Sequence, residues 1–144
     1  MTITTSVQTE AFDLAVEAAA LTAGRGDVGA VVTFTGHVRD GPMTLEHYPG
    51  MTERQLAAIA AEAEARWALL GGTVIHRHGH LLPGEAIVLV AIASRHRAAA
   101  FEAAEFLMDW LKTRAPFWKH EAGAGWVGAT AADDVAAKRW ATEL

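Results

Sequence analysis

Apolar residues recur along this chain at two different periods, and the changes of period divide it into elements. The run AVVTFTG at 30–36 is rich in β-branched residues and predicts the best strand. AIVLVAIAS at 86–94 is almost continuously apolar, as expected of a strand covered on both faces and so central in its sheet. Pro83-Gly84-Glu85 joins it to a strand at 73–82 as an antiparallel hairpin. Shorter strands are predicted at 2–7, at 44–48 and around 126–127. Helical spacing appears at 10–21, with Phe12, Leu14, Ala15, Ala18 and Leu21 on one face. It returns at 52–69, with Leu56, Ile59, Ala60, Ala63 and Trp67 on one face. A capping box from Thr52 to Gln55 opens that helix, and Gly71-Gly72 closes it. A third helix, 98–114, places Phe101, Ala104, Met108 and Leu111 together and is stopped by Pro116. Asp40-Gly41-Pro42 marks a turn, and a last helix is expected after an N-cap at Asp133 or Asp134. This order predicts one α+β domain over 1–144, with a mixed or antiparallel sheet and helices packed over it.

Composition narrows the function. A 51% hydrophobic content in 144 residues is enough for a real core. The net charge of −5 argues against a general nucleic-acid binder, which carries a basic surplus. With no cysteine, disulfides, cysteine–zinc sites, a thiol nucleophile and a persulfide carrier are all excluded. No apolar run approaches 18 residues and no signal sequence opens the chain, so a soluble cytoplasmic protein without membrane contact is expected.

Within this acidic chain the basic residues cluster at 94–121. His96 and Arg97 stand at the start of the third helix, where they gain nothing from its dipole but suit an incoming anion. The alternative is that Arg97 pairs with Glu102 or another acid, with His96 as polar surface. Lys112 and Arg114 at the far end favour the dipole and need no function. Lys119 is different, lying beyond the helix between Trp118 and His120. His37 and Arg39 share a face of the continuing 30–36 strand, as ligands or as a solvated strand end. His76, His78 and His80 alternate along the 73–82 strand and so share a face. That pattern suits a transition metal, but plain strand pairing around Arg77 explains it as well, and no metal is assigned.

Five blocks in order carry a resemblance across nearly the whole chain. They are GAVVTFTGHVR (29–39), LEHYPGMTE (45–53), VIHRHGHLLPGE (74–85), SRHRAAAFEA (94–103) and LKTRAPFWKHE (111–121). In these the chain resembles the MoaE family, the large catalytic subunits of molybdopterin synthase. The resemblance implies an α/β hammerhead-like domain with a small antiparallel subdomain, forming a homodimer within a heterotetramer. It implies a small ubiquitin-like, MoaD-like sulfur carrier whose C-terminal Gly-Gly bears a thiocarboxylate. Sulfur would pass from it to cyclic pyranopterin monophosphate, forming the molybdopterin dithiolene with no cofactor. The family's pocket positions fall on His37, Val38, Arg39, His96, Arg97, Lys112, Lys119, His120 and Glu121. The roles that follow are Lys119 as acid/base, Lys112 holding the partner's C-terminal carboxyl group, and Arg39, His96 and Arg97 holding phosphate and pterin. This chemistry agrees with the composition. Sulfur delivered on another protein needs no cysteine, and an anionic tail meeting a phosphate needs fixed cations.

Two features depart from the family pattern. The 40–44 segment is shorter than the family's usual loop, and Thr130 stands near where a basic residue often completes a neighbouring protomer's pocket. The rival readings from the residues are a non-catalytic anion- or nucleotide-binding module and a metal-dependent hydrolase using His76, His78 and His80. The apolar 86–93 strand and its neighbours are the sequence's candidates for a dimer contact.

Overall fold

The computed structural model describes residues 2–121, 125–127, 138 and 140. Two four-stranded sheets make up its β structure. The first comprises β1 (Ile3–Gln8), β2 (Ala30–His37), β4 (Gly71–Arg77) and β6 (Ala86–Ser94), in the order β1-β4-β6-β2. The β1–β4 pair is parallel and the others antiparallel, so this sheet is mixed. The second, wholly antiparallel, has the order β5-β3-β7-β8, from β3 (Met43–His47), β5 (Gly79–Leu81), β7 (Phe117–Glu121) and β8 (Gly125–Val127). The α+β expectation, including a small antiparallel subdomain, is met.

The main core lies between the first sheet and two helices, α2 (Met51–Arg66) and α3 (Arg97–Thr113). Leu56, Ile59, Ala60 and Ala63 of α2 and Ala100, Ala104, Phe106, Leu107 and Leu111 of α3 meet Val74, Val88, Val90 and Ile92 there. Small residues on α3 let the helix sit close to the strands, while Leu107 and Phe106 supply area worth roughly 2 kcal/mol each on burial. Ile75, Leu89 and Ala91 point to the other face, where Phe12 and Leu21 flanking α1 (Leu14–Ala20) cover them. With both faces covered and a neighbour on each side, β6 is central, as its continuous apolar run predicts. Its residues from Val88 onward are internal to the protomer, so the dimer contact expected of this strand and its neighbours falls to the neighbours rather than to β6 itself.

Other expectations are corrected as well. Phe101 is 59% exposed; the buried face of α3 passes through Ala100, Ala103 and Ala104 instead. Helix α1 is shorter than predicted because Asp13 caps it, its Oδ1 accepting from the amides of Ala15 (2.9 Å) and Val16 (3.2 Å). In α2 the cap is Gly50, whose amide donates to Glu53 Oε1 at 2.8 Å, rather than a Thr52–Gln55 box. Thr52 is inside the helix and buried, its hydroxyl donating to Tyr48 O at 2.7 Å. Trp67 ends α2 in an extended conformation, and Gly71-Gly72 begin β4 instead of terminating the helix. A Cβ on Gly72 would meet Ala91 O at 3.0 Å and Ile3 at 3.1 Å, so close sheet packing explains that glycine.

The predicted 73–82 strand is two strands in different sheets. It breaks at His78 and Gly79, the latter at φ 95°, where glycine carries the chain from β4 into β5. Buried Arg77 braces the break: its guanidinium donates to Thr9 O (3.0 and 3.1 Å) and Ala86 O (2.9 Å) and pairs with Glu85 at 3.3 Å. The predicted Asp133/Asp134 cap and Thr130 lie outside the described residues. Among the described residues no helix is long and apolar enough to cross a membrane.

Candidate functional site

The second sheet is hung from the end of the first at which β2 finishes and β6 begins. Pro116 ends α3's trajectory and turns the chain into β7, where Phe117 pairs with His47 of β3 and Lys119 with Leu45. Alternation along a strand puts Phe117 and Lys119 on one face and Trp118 on the other. Trp118 meets exposed Tyr48 with ring centroids 4.7 Å apart. Lys119 thus shares its face with Phe117 and lies beside buried Leu45, which packs with Val38 and Leu81. It is half-buried, unlike the exposed Lys112.

Beneath this face lies a cluster of imidazoles that the sequence does not announce. His76, buried in β4, stacks on Phe117 with ring centroids 3.7 Å apart and planes 14° apart. His47 lies 5.8 Å from the same Phe117 ring and 4.3 Å from His78. The tautomers follow from the partners. His76 Nδ1 is 2.8 Å from Arg77 O, and a carbonyl can only accept, so Nδ1 carries the proton. Thr52 spends its hydroxyl proton on Tyr48 O, so His47 Nδ1, 3.0 Å from Thr52 Oγ1, is a donor too. Burial pushes the His76 imidazole down to about 4, and the positive charges of Lys112, His47 and His78 act the same way. The Arg77 carbonyl opposes them. His78 is also lowered, first by burial and then by His47. His76 is therefore neutral at physiological pH, and Lys112 at the end of α3 is close enough to be felt there.

His76, His78 and His80 do not form the common face expected of them. His76 is inside, His78 sits at the bend, and exposed His80 meets Thr44 Oγ1 through Nδ1 at 3.2 Å. Among the described residues no group of three or more histidines and carboxylates could hold a metal ion. The alternative pairing of Arg97 with Glu102 or another acid is not formed among the described residues, and Glu102 accepts from Trp67 Nε1 at 2.9 Å.

The other predicted residues fall into two groups. At the lysine end, strand β2 closes with an irregularity between Gly36 and His37. Val38 is only 2% exposed, with its amide donating to Glu85 O (2.9 Å) and its carbonyl accepting from Gly84 (2.8 Å). Its side chain fills the core, and its backbone bonds fix the position of its neighbours. His37 is exposed, with Nε2 3.0 Å from Thr35 Oγ1, and exposed Arg39 lies beyond the strand, so the two do not continue one strand face. Among the described residues Arg39, Arg97, Lys112 and Lys119 make no salt bridge.

His96 and Arg97 belong to the opposite end. Ser94 pairs with Ala30, at the start of β2, while His37 pairs with Ala86. Ser94 shapes the helix start: its hydroxyl donates to His96 O at 2.7 Å and accepts from the His96 amide at 3.1 Å. His96 is the N-cap without a side-chain cap bond, and the first turn of α3 holds no acid. Both side chains are exposed beside free helix amides. Helix α3 has 17 residues and spans roughly 25 Å, so one protomer keeps this pair far from Lys112. The side chains of His120 and Glu121 lie outside the described part; their backbones extend β7.

A family model described as MoaE protein matches residues 7–114, three-quarters of the chain. The chain belongs to the MoaE family. It is 58% identical over 147 aligned positions to a protein of Mesorhizobium japonicum named molybdopterin synthase catalytic subunit, covering 95% of this chain and 92% of that one. Among solved structures it is similar to molybdopterin cofactor biosynthesis protein E from Burkholderia multivorans. There the identity is 49%, the TM-score 0.86, and 97% of each chain is covered. A protein–protein complex of subunits 1 and 2 of molybdopterin-converting factor from Helicobacter pylori contains a chain of the same fold. It is 18% identical at a TM-score of 0.70, covering 91% of this chain and 92% of that one.

What sequence reasoning missed is β7 as a strand, and with it the roles of Phe117, His47 and His76. The signal was present in FWKHE, where Phe117 and Lys119 alternate with Trp118 directly after a helix-ending proline. Nothing in the sequence marks His47 as their neighbour.

Proposed function

We infer that this chain is the catalytic subunit of a molybdopterin synthase, a sulfurtransferase of molybdenum cofactor biosynthesis. Membership of the MoaE family carries that reading. The finer reading is that the whole chain acts as one domain in the cytoplasm, in a heterotetramer built on its homodimer. The small ubiquitin-like partner brings sulfur on a C-terminal Gly-Gly thiocarboxylate, and cyclic pyranopterin monophosphate accepts it. The thiocarboxylate sulfur displaces an oxygen at a substrate carbon, that oxygen leaving with a proton from the general acid, and water then cleaves the acyl–sulfur bond. The sulfur stays on the pterin and the carrier leaves as a carboxylate.

Lys119, half-buried beside Leu45, is assigned as the acid/base, and Lys112 as the cation for the carrier's terminal carboxyl group. Arg39 at the same end, with His96 and Arg97, would hold the substrate's phosphate and pterin. The length of α3 places a condition on this assignment. His96 and Arg97 can join the lysines only if they come from the second protomer of a dimer, so the pocket is shared. His37, His120 and Glu121 would complete its rim.

The test is product formation from cyclic pyranopterin monophosphate, with and without a thiocarboxylated small subunit. Product should require both proteins. Lys119→Arg should reduce kcat by about 100-fold or more, since it keeps charge but cannot exchange a proton near neutral pH. Full turnover in that variant would leave Lys119 as a merely electrostatic group.

A further inference from the structure

The buried His76 is not among the residues assigned to binding or chemistry, yet it feels the charge of Lys112 and stacks on the strand that carries Lys119. Its ring stacks at 3.7 Å on Phe117, the first residue of β7, while its Nδ1–H is anchored on Arg77 O at 2.8 Å. Its own strand is in the first sheet, and β7 is in the second. The stack is thus a side-chain joint between the sheets. His47, pinned by Thr52 at 3.0 Å, holds the same Phe117 ring from β3. Lys119 is two residues further along β7 on the same face, roughly 7 Å away. A rotation of β7 at Phe117 would therefore carry the ammonium group with it.

We propose that His76 is a positioning residue for sulfur transfer: through its stack on Phe117 it sets the direction in which β7 delivers Lys119 beside the Lys112 end of α3. This rests on Lys119 being the working residue of the proposed reaction. The ring must be neutral to do this. A charged imidazole would face Lys112 from α3, His47 from β3 and His78 from the β4–β5 bend, with Glu53 acting on both His47 and His78, Glu10 on His78, and neither carboxylate on His76 itself.

Three variants separate the stack from the hydrogen bond. His76→Asn keeps an amide donor toward Arg77 O and loses the ring; His76→Phe keeps a flat ring and loses the donor; His76→Ala loses both. In the reconstituted reaction with thiocarboxylated small subunit, His76→Ala and His76→Asn should lose about 10- to 100-fold in kcat. KM for the small subunit should change less than about threefold. His76→Phe should recover kcat to within about threefold and hold it to lower pH than the wild type, because the group that titrates near 4 is gone. Phe117→Leu should resemble His76→Asn, and the double variant should be no worse than either single one.

Wild-type kcat in His76→Asn would overturn the proposal, as would losses in all variants that merely follow the folded fraction measured by circular dichroism. If His76→Ala does not fold, the Asn and Phe variants decide. Should the wild type itself make no product, the sulfurtransferase reading falls separately. The positioning claim is then settled by the methyl resonance of 13C-dimethylated Lys119, assigned by its loss in Lys119→Arg. His76→Asn must shift that resonance and His76→Phe must leave it near the wild-type position; no shift in His76→Asn overturns the proposal.

Discussion

His76 links the local chemistry to a measurable stability profile. Its imidazole takes up a proton near 6.5 when the chain is unfolded but only near 4 when it is folded. Between these values the unfolded state binds more protons, so folding stability is complete above about 6.5 and is lost as pH falls toward 4. The difference corresponds to on the order of 3 kcal/mol. Chemical denaturation of His76→Phe and wild type at pH 7 and pH 4 should therefore differ, with the wild type losing about that much more on acidification. Parallel profiles would mean that the ring is not desolvated as described. At this scale the sequence was legible where chemistry is local. The basic residues could be read off directly, because their charges serve no core. The imidazole cluster could not, since His47 and His76 are brought together by pairings between residues tens of positions apart.

Elements were legible where one pattern acted alone. Strand β2, central β6 and helices α2 and α3 follow from period and β-branching, with tertiary packing moving their ends. The failures came where two patterns overlapped. The alternation of His76, His78 and His80 hid a change of sheet at Gly79, because a backbone bend at φ 95° leaves little trace beyond the glycine itself. In β7 the alternation of Phe117 and Lys119 with Trp118 runs over only five residues, too short a stretch to stand out by itself. Gly29 gives an element-scale prediction. Its amide donates to Ser94 O at 3.0 Å, and a Cβ there would sit 2.1 Å from Arg95 O, far inside contact distance. Gly29→Ala must push apart the start of β2 and the segment leading into α3. A loss of about 2–3 kcal/mol in urea denaturation is expected, the range of substitutions that strain a fixed backbone. A change below about 0.5 kcal/mol would show that this contact yields freely.

At the scale of the molecule, charge is distributed against the average. The chain carries a net charge of −5, and Lys112 and Lys119 are two of its three lysines. Both fall at the end where the second sheet is attached, while His96 and Arg97 lie at the other, with α3 setting the distance between them. That separation has a genetic consequence. In a symmetric dimer whose pockets each draw Arg97 from one protomer and Lys119 from the other, the two lesions can be collected into a single pocket. Arg97→Ala and Lys119→Ala homodimers should each be nearly inactive, yet co-expressing the two alleles should restore about a quarter of wild-type turnover, from half the dimers each with one intact pocket. Two alleles that fail alone would then support growth together wherever the cofactor is required. A pocket built within one protomer would give no such rescue.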